Sequence, residues 1–501
     1  MKRVLIAGVV LLLTTTFIPS ASAATLDGPL VQVSGASPFT ATCGTSEPGI
    51  LFPDSEVEPY VDVNPDLPEN IVGVWQQDRW SNGGSRGNVA GVSMDGGASW
   101  QVVPLPGVTQ CTGGPFVRAS DPWVSFSPDG TVYAMSLAFN NQPPPGRPGG
   151  FGANAMLVNR STDGGLTWGP PTTLAFDDNP RLLNDKNTLT ADPNDADFVY
   201  AVWDRLSVPN GTVINPENVI GLGFKGPVRF TRTTNGGQSW EPVRTIYDPA
   251  ANNQTIGNQI VVQPDGTVVD FFNEILNFKN SDGGGKFEFN LALLTSEDNG
   301  ATWSKKPVRA QKIQSLGAVT PDTGAAIRDA AILFDVAVGP NGNLYAVWQD
   351  TRFTGGQFDT VALSRSTDGG ATWSAPIQVS KTPSGAGLRS QAFLPSVEVN
   401  TAGVVAVSYY DFRNDVPGTP ADELADHFVV TCTASCAQAA SFAAEVRVTD
   451  TSFDYLDAPQ ARGLFLGDYE GLGTDGTDFF PFFSATHTGD AASVFVRRVG
   501  P

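Results

Sequence analysis

Four short stretches set a guanidinium beside a carboxylate: Trp75-Gln-Gln-Asp78-Arg79, Trp203-Asp204-Arg205, Trp348-Gln-Asp350-Thr-Arg352 and Tyr410-Asp411-Phe-Arg413. An Arg fork matches the two oxygens of a carboxylate. Arg79, Arg205, Arg352 and Arg413 are therefore candidate binders of an anionic ligand. The same recurrence suits an ion pair that fastens one repeat to the next, and packing recurs through a repeat array more readily than function does. A second set could move protons. Glu274 follows Phe271-Phe-Asn, Tyr469 and Glu470 stand in Gly467-Asp468-Tyr469-Glu470-Gly471, and Asp121 and Asp185 lead into other apolar runs. Two carboxyls, or a Tyr-Glu pair with an Asp, would need to converge within about 5–10 Å for acid–base hydrolysis.

What could bring them together is a repeat. An eight-residue pattern, Ser/Thr-x-Asp/Asn-x-Gly-x-Thr/Ser-Trp, occurs five times, starting at Ser93, Ser161, Thr233, Ser296 and Ser366, at intervals of 68, 72, 63 and 70 residues. A long fixed period marks a repeat architecture. Chemically the pattern is a hairpin turn: Asp or Asn bonds nearby backbone, Gly accepts positive φ, and Trp plugs between sheets. Ahead of each copy stands an apolar strand, a tight turn and a second strand, with turns such as Ser127-Pro-Asp-Gly130 and Gln263-Pro-Asp-Gly266. Such units begin near Tyr60, Pro122, Thr188, Asn258, Phe334, Ser396 and Asp468. The last stops after Ser493-Val-Phe-Val-Arg497, one strand short, and Leu30-Val-Gln-Val-Ser34 is expected to supply the missing strand.

The five turns resemble the Asp box, or BNR repeat, of the sialidase-like β-propellers, and the resemblance covers nearly the whole chain after its leader. It implies an all-β propeller of four-stranded blades. The seven units predict seven blades closed by the N-terminal strand, with six as the alternative, the number in the sialidase domain. It also implies a Tyr nucleophile activated by a Glu, an Asp acid/base, and three Arg on a substrate carboxylate. Those roles fall on Tyr469, on Glu470 or Glu274, on Asp121, and on the four arginines above. The family's Arg-Ile-Pro motif is absent, and Glu58-Pro59-Tyr60 stands near its place. Two functions follow: a secreted glycoside hydrolase acting on extracellular glycans or glycoproteins, or a non-catalytic propeller that binds a glycan or protein. Turns of fixed length occupy one face, whereas the connections on the other are long and varied. Any pocket is therefore expected on the long-loop face, near Arg79, Arg205, Arg352 and Arg413, away from the boxes.

Composition narrows the field further. Residues 1–24 read as a signal peptide: Lys2 and Arg3, an apolar run from Val4 to Leu13, and Ala21-Ser22-Ala23 as the cleavage site. That leaves residues 25–501 as one domain, exported and not membrane-spanning. A net charge of −21 argues against nucleic acid and anionic lipid as partners. His427 and His487 are the two histidines, too few for a His-rich zinc site. Oxygen ligands in a channel would suit Ca²⁺, although no EF-hand spacing is present; no cofactor is expected, and a monomer is. The four cysteines allow three pairings in an exported chain. Cys432 and Cys436 sit where a sixth box is due, so a small disulfide loop is expected there, which leaves Cys43 with Cys111.

Overall fold

The structure, a computed structural model, describes residues 24–44, 47–141, 151–208, 224–279, 285–442 and 444–501. The expected signal peptide of residues 1–24 lies outside the described residues up to residue 23, as do residues 142–150 and 209–223 of two of the long connections. Among the described residues the chain is all-β, and its helical segments are four short 3-10 turns.

Seven inner strands each pair antiparallel with the strand that follows: Leu51–Val63, Arg118–Phe126, Leu182–Ala191, Asn253–Val262, Phe334–Val338, Ala392–Val399 and Gly471–Thr474. In the first six units a third and then an outer strand continue the antiparallel order. In the last unit Val31–Gln32 pairs with the third strand, Val31 opposite Val496 and Gln32 opposite Phe495. This is the fold of a β-propeller.

Packing explains the burial pattern. The second strands Ile71–Trp80, Leu344–Asp350 and Val405–Asp411 are buried at every position, because each sheet is covered on both faces by its neighbours. One apolar cluster fills the space between each unit and the next. The cluster joining the last unit to the first holds Phe480, Phe482, Val494 and Val33 against Val61, Ile71 and Trp75. The turn tryptophans serve these interfaces. Trp100 packs on Phe482, Trp303 on Phe230 and Trp373 on Phe271, each an aromatic ring of the preceding unit.

The eight-residue turns close identically. Gly97 N donates to Ser93 Oγ (2.9 Å), Ser93 Oγ donates to Asp95 Oδ1 (2.8 Å), and Ser99 N donates to the same oxygen (2.9 Å). Only an acceptor oxygen is required, so Asn235 does the same work for Thr233 and Ser239. Gly97 has φ 90°, where a side chain would be strained. Cys432 bonds Cys436 and Cys43 bonds Cys111, as the spacing predicted, and no described cysteine is free.

Candidate functional site at the channel mouth

Five inner strands carry the same irregularity. Their register shifts between Val57 and Tyr60, Ser120 and Trp123, Asp185 and Thr188, Ile256 and Gln259, and Phe393 and Ser396. At each bulge one residue takes positive φ: Glu58 (53°), Asp121 (46°), Lys186 (47°), Gly257 (66°) and Leu394 (49°). Bulges re-aim side chains, and a bulky residue held at positive φ stores strain that recurs at functional sites. Three successive units thus present a carboxylate, a carboxylate and an ammonium. Asp468, just before the inner strand of the last unit, completes the group.

Lys186 Nζ is the centre. It donates to Asp468 Oδ2 (2.6 Å) and Asp121 Oδ1 (2.9 Å) and lies 3.4 Å from Glu58 Oε1. Because all three oxygens contact one nitrogen, any two lie within about 6 Å, in the range of the paired carboxyls that hydrolyse glycosides. Arg328 clamps Asp468 from the other side, Nε to Oδ1 at 3.0 Å and Nη2 to Oδ2 at 2.7 Å. The Arg328 and Arg79 guanidiniums both lie over the Phe465 ring, at 4.5 and 4.7 Å. The three carboxyls are nearly covered, and Lys186, Arg328, Asp185 and Tyr469 form the partly exposed rim.

The shared environment drives these acids apart. Burial raises Glu58 to about 7, Lys186 opposes the rise, and the charges of Asp121 and Asp468 add to it. Burial acts on Asp468 too, but Arg328 and Lys186 outweigh it and hold that carboxyl well below the usual range. Asp185 is raised to about 6, by burial first and then by Asp121. One proton-bearing carboxyl beside an ionised one is how a site divides acid from base.

The sequence candidates separate. Asp121 is in this group, within its strand at the bulge rather than at the strand's start. Tyr469 borders it, with its ring edge-on to Trp123 at 5.4 Å, but its hydroxyl donates to Pro122 O (3.0 Å). Burial, and then the charges of Glu58 and Asp121, push that phenol up, away from an activated nucleophile. Glu470 turns aside to Tyr410 (2.8 Å) and the Ser484 amide (3.1 Å). Glu274 does not end its strand, which runs on to Lys279 because the pairing with Gly285–Ser296 continues. It is spent on Tyr247 and on Arg309, both from outer strands.

The four arginines are not brought together. Arg79 is buried behind Phe465 and bonds Gln76 (2.7 Å), while its neighbour Asp78 pairs with Arg86 (3.1 Å). Arg205 pairs with Asp177 of the preceding unit. Arg352 takes both oxygens of Asp350 (2.8 and 2.7 Å) and the Lys312 carbonyl (2.6 Å), and Arg413 takes Asp411 and Glu445. Lys186 and Arg328 were not singled out from sequence. The parallel between Glu58-Pro59-Tyr60 and Asp121-Pro122-Trp123, acid-Pro-aromatic at one repeat position, was the available signal.

Cavities depart from expectation. A 560 Å³ groove lies on the turn face between Gln263-Pro264-Asp265, Pro340-Asn341-Gly342 and Thr367-Asp368-Gly369. Asp368 within it is already bonded to Thr372. A 230 Å³ hollow flanks Arg205. At the channel mouth the void beside Asp468, Tyr469, Trp123 and Leu394 is only about 20 Å³, room for one water. Among the described residues no cluster of His, Cys, Asp and Glu is arranged to hold a metal ion, and no helix is long and apolar enough to cross a membrane.

No known family profile matches the chain. It is similar to a xyloglucanase of Paenibacillus sp., 27% identical over 213 residues that make up 38% of this chain and 16% of that protein. Similar solved structures include an α-L-arabinofuranosidase of Fusarium graminearum (13% identity, TM-score 0.45, 72% of this chain and 92% of that one) and a Hadza microbial sialidase (12%, 0.45, 87% and 75%). A protein of unknown function from Dyadobacter fermentans has 15% identity and TM-score 0.45, over 90% of this chain and 97% of that one.

Proposed function

We propose that this chain is an exported glycoside hydrolase acting on extracellular glycans, built as a seven-bladed Asp-box propeller closed by its N-terminal strand. The observation that carries the chemistry is the set of carboxyls gathered on Lys186, one carrying a proton near neutrality and one held ionised. Glu58 is the acid: its proton passes to the glycosidic oxygen as the bond to the anomeric carbon breaks. Asp121 is the nucleophile, as the short separation of the two carboxyls requires: its oxygen bonds the anomeric carbon as the glycosidic bond breaks, and a water that gives its proton to Glu58 then displaces Asp121, so glycoside plus water gives two sugars. Asp468, locked between Arg328 and Lys186, positions the other two. The likeness to a xyloglucanase agrees in class.

A panel of chromogenic glycosides tests this. Hydrolysis should fall at least 100-fold in Glu58→Gln, the scale of a lost general acid or base, and by no less in Asp121→Asn, which removes the nucleophile. Its basic limb should lie near pH 7, where Glu58 gives up its proton. One observation favours the second reading, a glycan-binding propeller without turnover: Glu58 is only 1% exposed. Glycan binding that survives Glu58→Gln, with no hydrolysis by the wild type, would establish it.

A further inference from the structure

Among the described residues, the cations that line the channel mouth are all committed. The ammonium of Lys186 has three N–H groups and three carboxyl neighbours. The Nε and Nη2 edge of Arg328, the one that grips a carboxylate in two places, is occupied by Asp468. Arg79 is 1% exposed and lies behind Phe465. Farther out, Arg205, Arg352 and Arg413 each hold a carboxylate of this chain. The local charges give an anion no surplus to pair with. Five acids, Glu58, Asp121, Asp185, Asp204 and Asp468, stand around Lys186, Arg328 and Arg79, and burial raises Glu58, Asp185 and Asp204. An added anion would be a partly buried charge without a counterion, inside a protein of net charge −21.

We infer that the mouth takes neutral sugars and rejects sugars that carry a carboxylate, sialic and uronic acids included. This rests on the channel mouth being the glycan site. Selectivity arises from the absence of a free partner for the anion, a repulsive device. The four Asp-Arg motifs that resemble an anion-binding set are thus spent inside the fold.

The test is calorimetric titration of the full chain with cellotetraose, arabinotriose and a xyloglucan heptasaccharide as neutral probes, and with 3′-sialyllactose and trigalacturonate as anionic ones. At least one neutral probe should bind tenfold or more tightly than either anionic probe. In Asp468→Asn, which frees the Arg328 fork, 3′-sialyllactose should gain at least tenfold. If that variant does not fold, the wild-type titrations decide alone. Tighter wild-type binding of an anionic probe overturns the inference. Should that probe also be cleaved, with cleavage stopped by Glu58→Gln, the hydrolase reading stands while the neutral-sugar inference falls. Neutral binding without cleavage does the reverse. Failure of all five probes to bind removes both.

Discussion

Asp270 should weaken the protein, and replacing it should strengthen it. Its side chain is fully buried in the apolar interface between the third and fourth units, beside Val268, Phe272 and Leu294, and neither carboxyl oxygen has a hydrogen-bond partner. Register shows how anomalous it is. Asp270 faces Ile260 on its inner strand, and the matching positions hold Gly73 facing Val61, Ala134 facing Val124, Ala201 facing Leu189 and Ala346 facing Val336. Asp270→Ala installs what the neighbouring units already use. Removing an unsatisfied buried acid gains about 1–3 kcal/mol. The void left, roughly the 30 Å³ of one water, returns about 0.7 kcal/mol of that. The gain should therefore be about 0.3–2.3 kcal/mol where both states are protonated. Burial raises the folded-state pKa, so the unfolded chain ionises first as pH rises. The further penalty that comes from ionisation is absent below the unfolded value near 4. Above it the penalty grows by up to about 1.4 kcal/mol per pH unit, until the folded group ionises as well. Urea unfolding of both proteins at pH 3.5, 5 and 7 measures the difference. A variant that is less stable at pH 7, or a gain that does not change with pH, refutes the reasoning.

Arg352→Ala should cost about 2–3 kcal/mol by stranding the buried Asp350 carboxylate, below the range for fully enclosed pairs because Arg352 reaches solvent. Glycan affinity should not change; a loss of affinity at unchanged melting temperature would return Arg352 to the binding site. Replacing Cys43 and Cys111 by Ser should cost about 2–4 kcal/mol, since the bridge spans a sequence separation of 68, and urea midpoints would show it. His427 is buried, stacked on Phe483 at 4.2 Å, and burial lowers its pKa to about 3. Its folded state resists protonation, so stability should fall as pH drops from about 6.5 to about 3, by up to about 1.4 kcal/mol per unit. His427→Phe should flatten that acid limb, and thermal melts across the window would reveal an unaltered slope if His427 is not responsible.

The period, the turns and the cysteine pairs were legible in the sequence because each depends on neighbours close along the chain. Ser93, Asp95, Gly97 and Ser99 bond one another within a few residues, so their spacing is their structure. Cys432 and Cys436 were placed by the same counting, and the strand around Val31 by the missing partner of the last unit. The arginine motifs could be found but not interpreted. Whether Arg205 serves a ligand or Asp177 depends on what the preceding unit places opposite it. The channel mouth lay furthest from sequence reasoning. Glu58, Asp121, Lys186 and Asp468 are brought onto one nitrogen from four different units, and Arg328 arrives from a connection that follows no repeat. Local pattern specified the inner strands, but the bulge in each decides which side chain leaves the sheet. The packing of one unit against the next then sets the distances between charges. Those distances, together with burial, make Glu58 hold its proton while Asp468 releases one, a difference that exists only once the units are assembled.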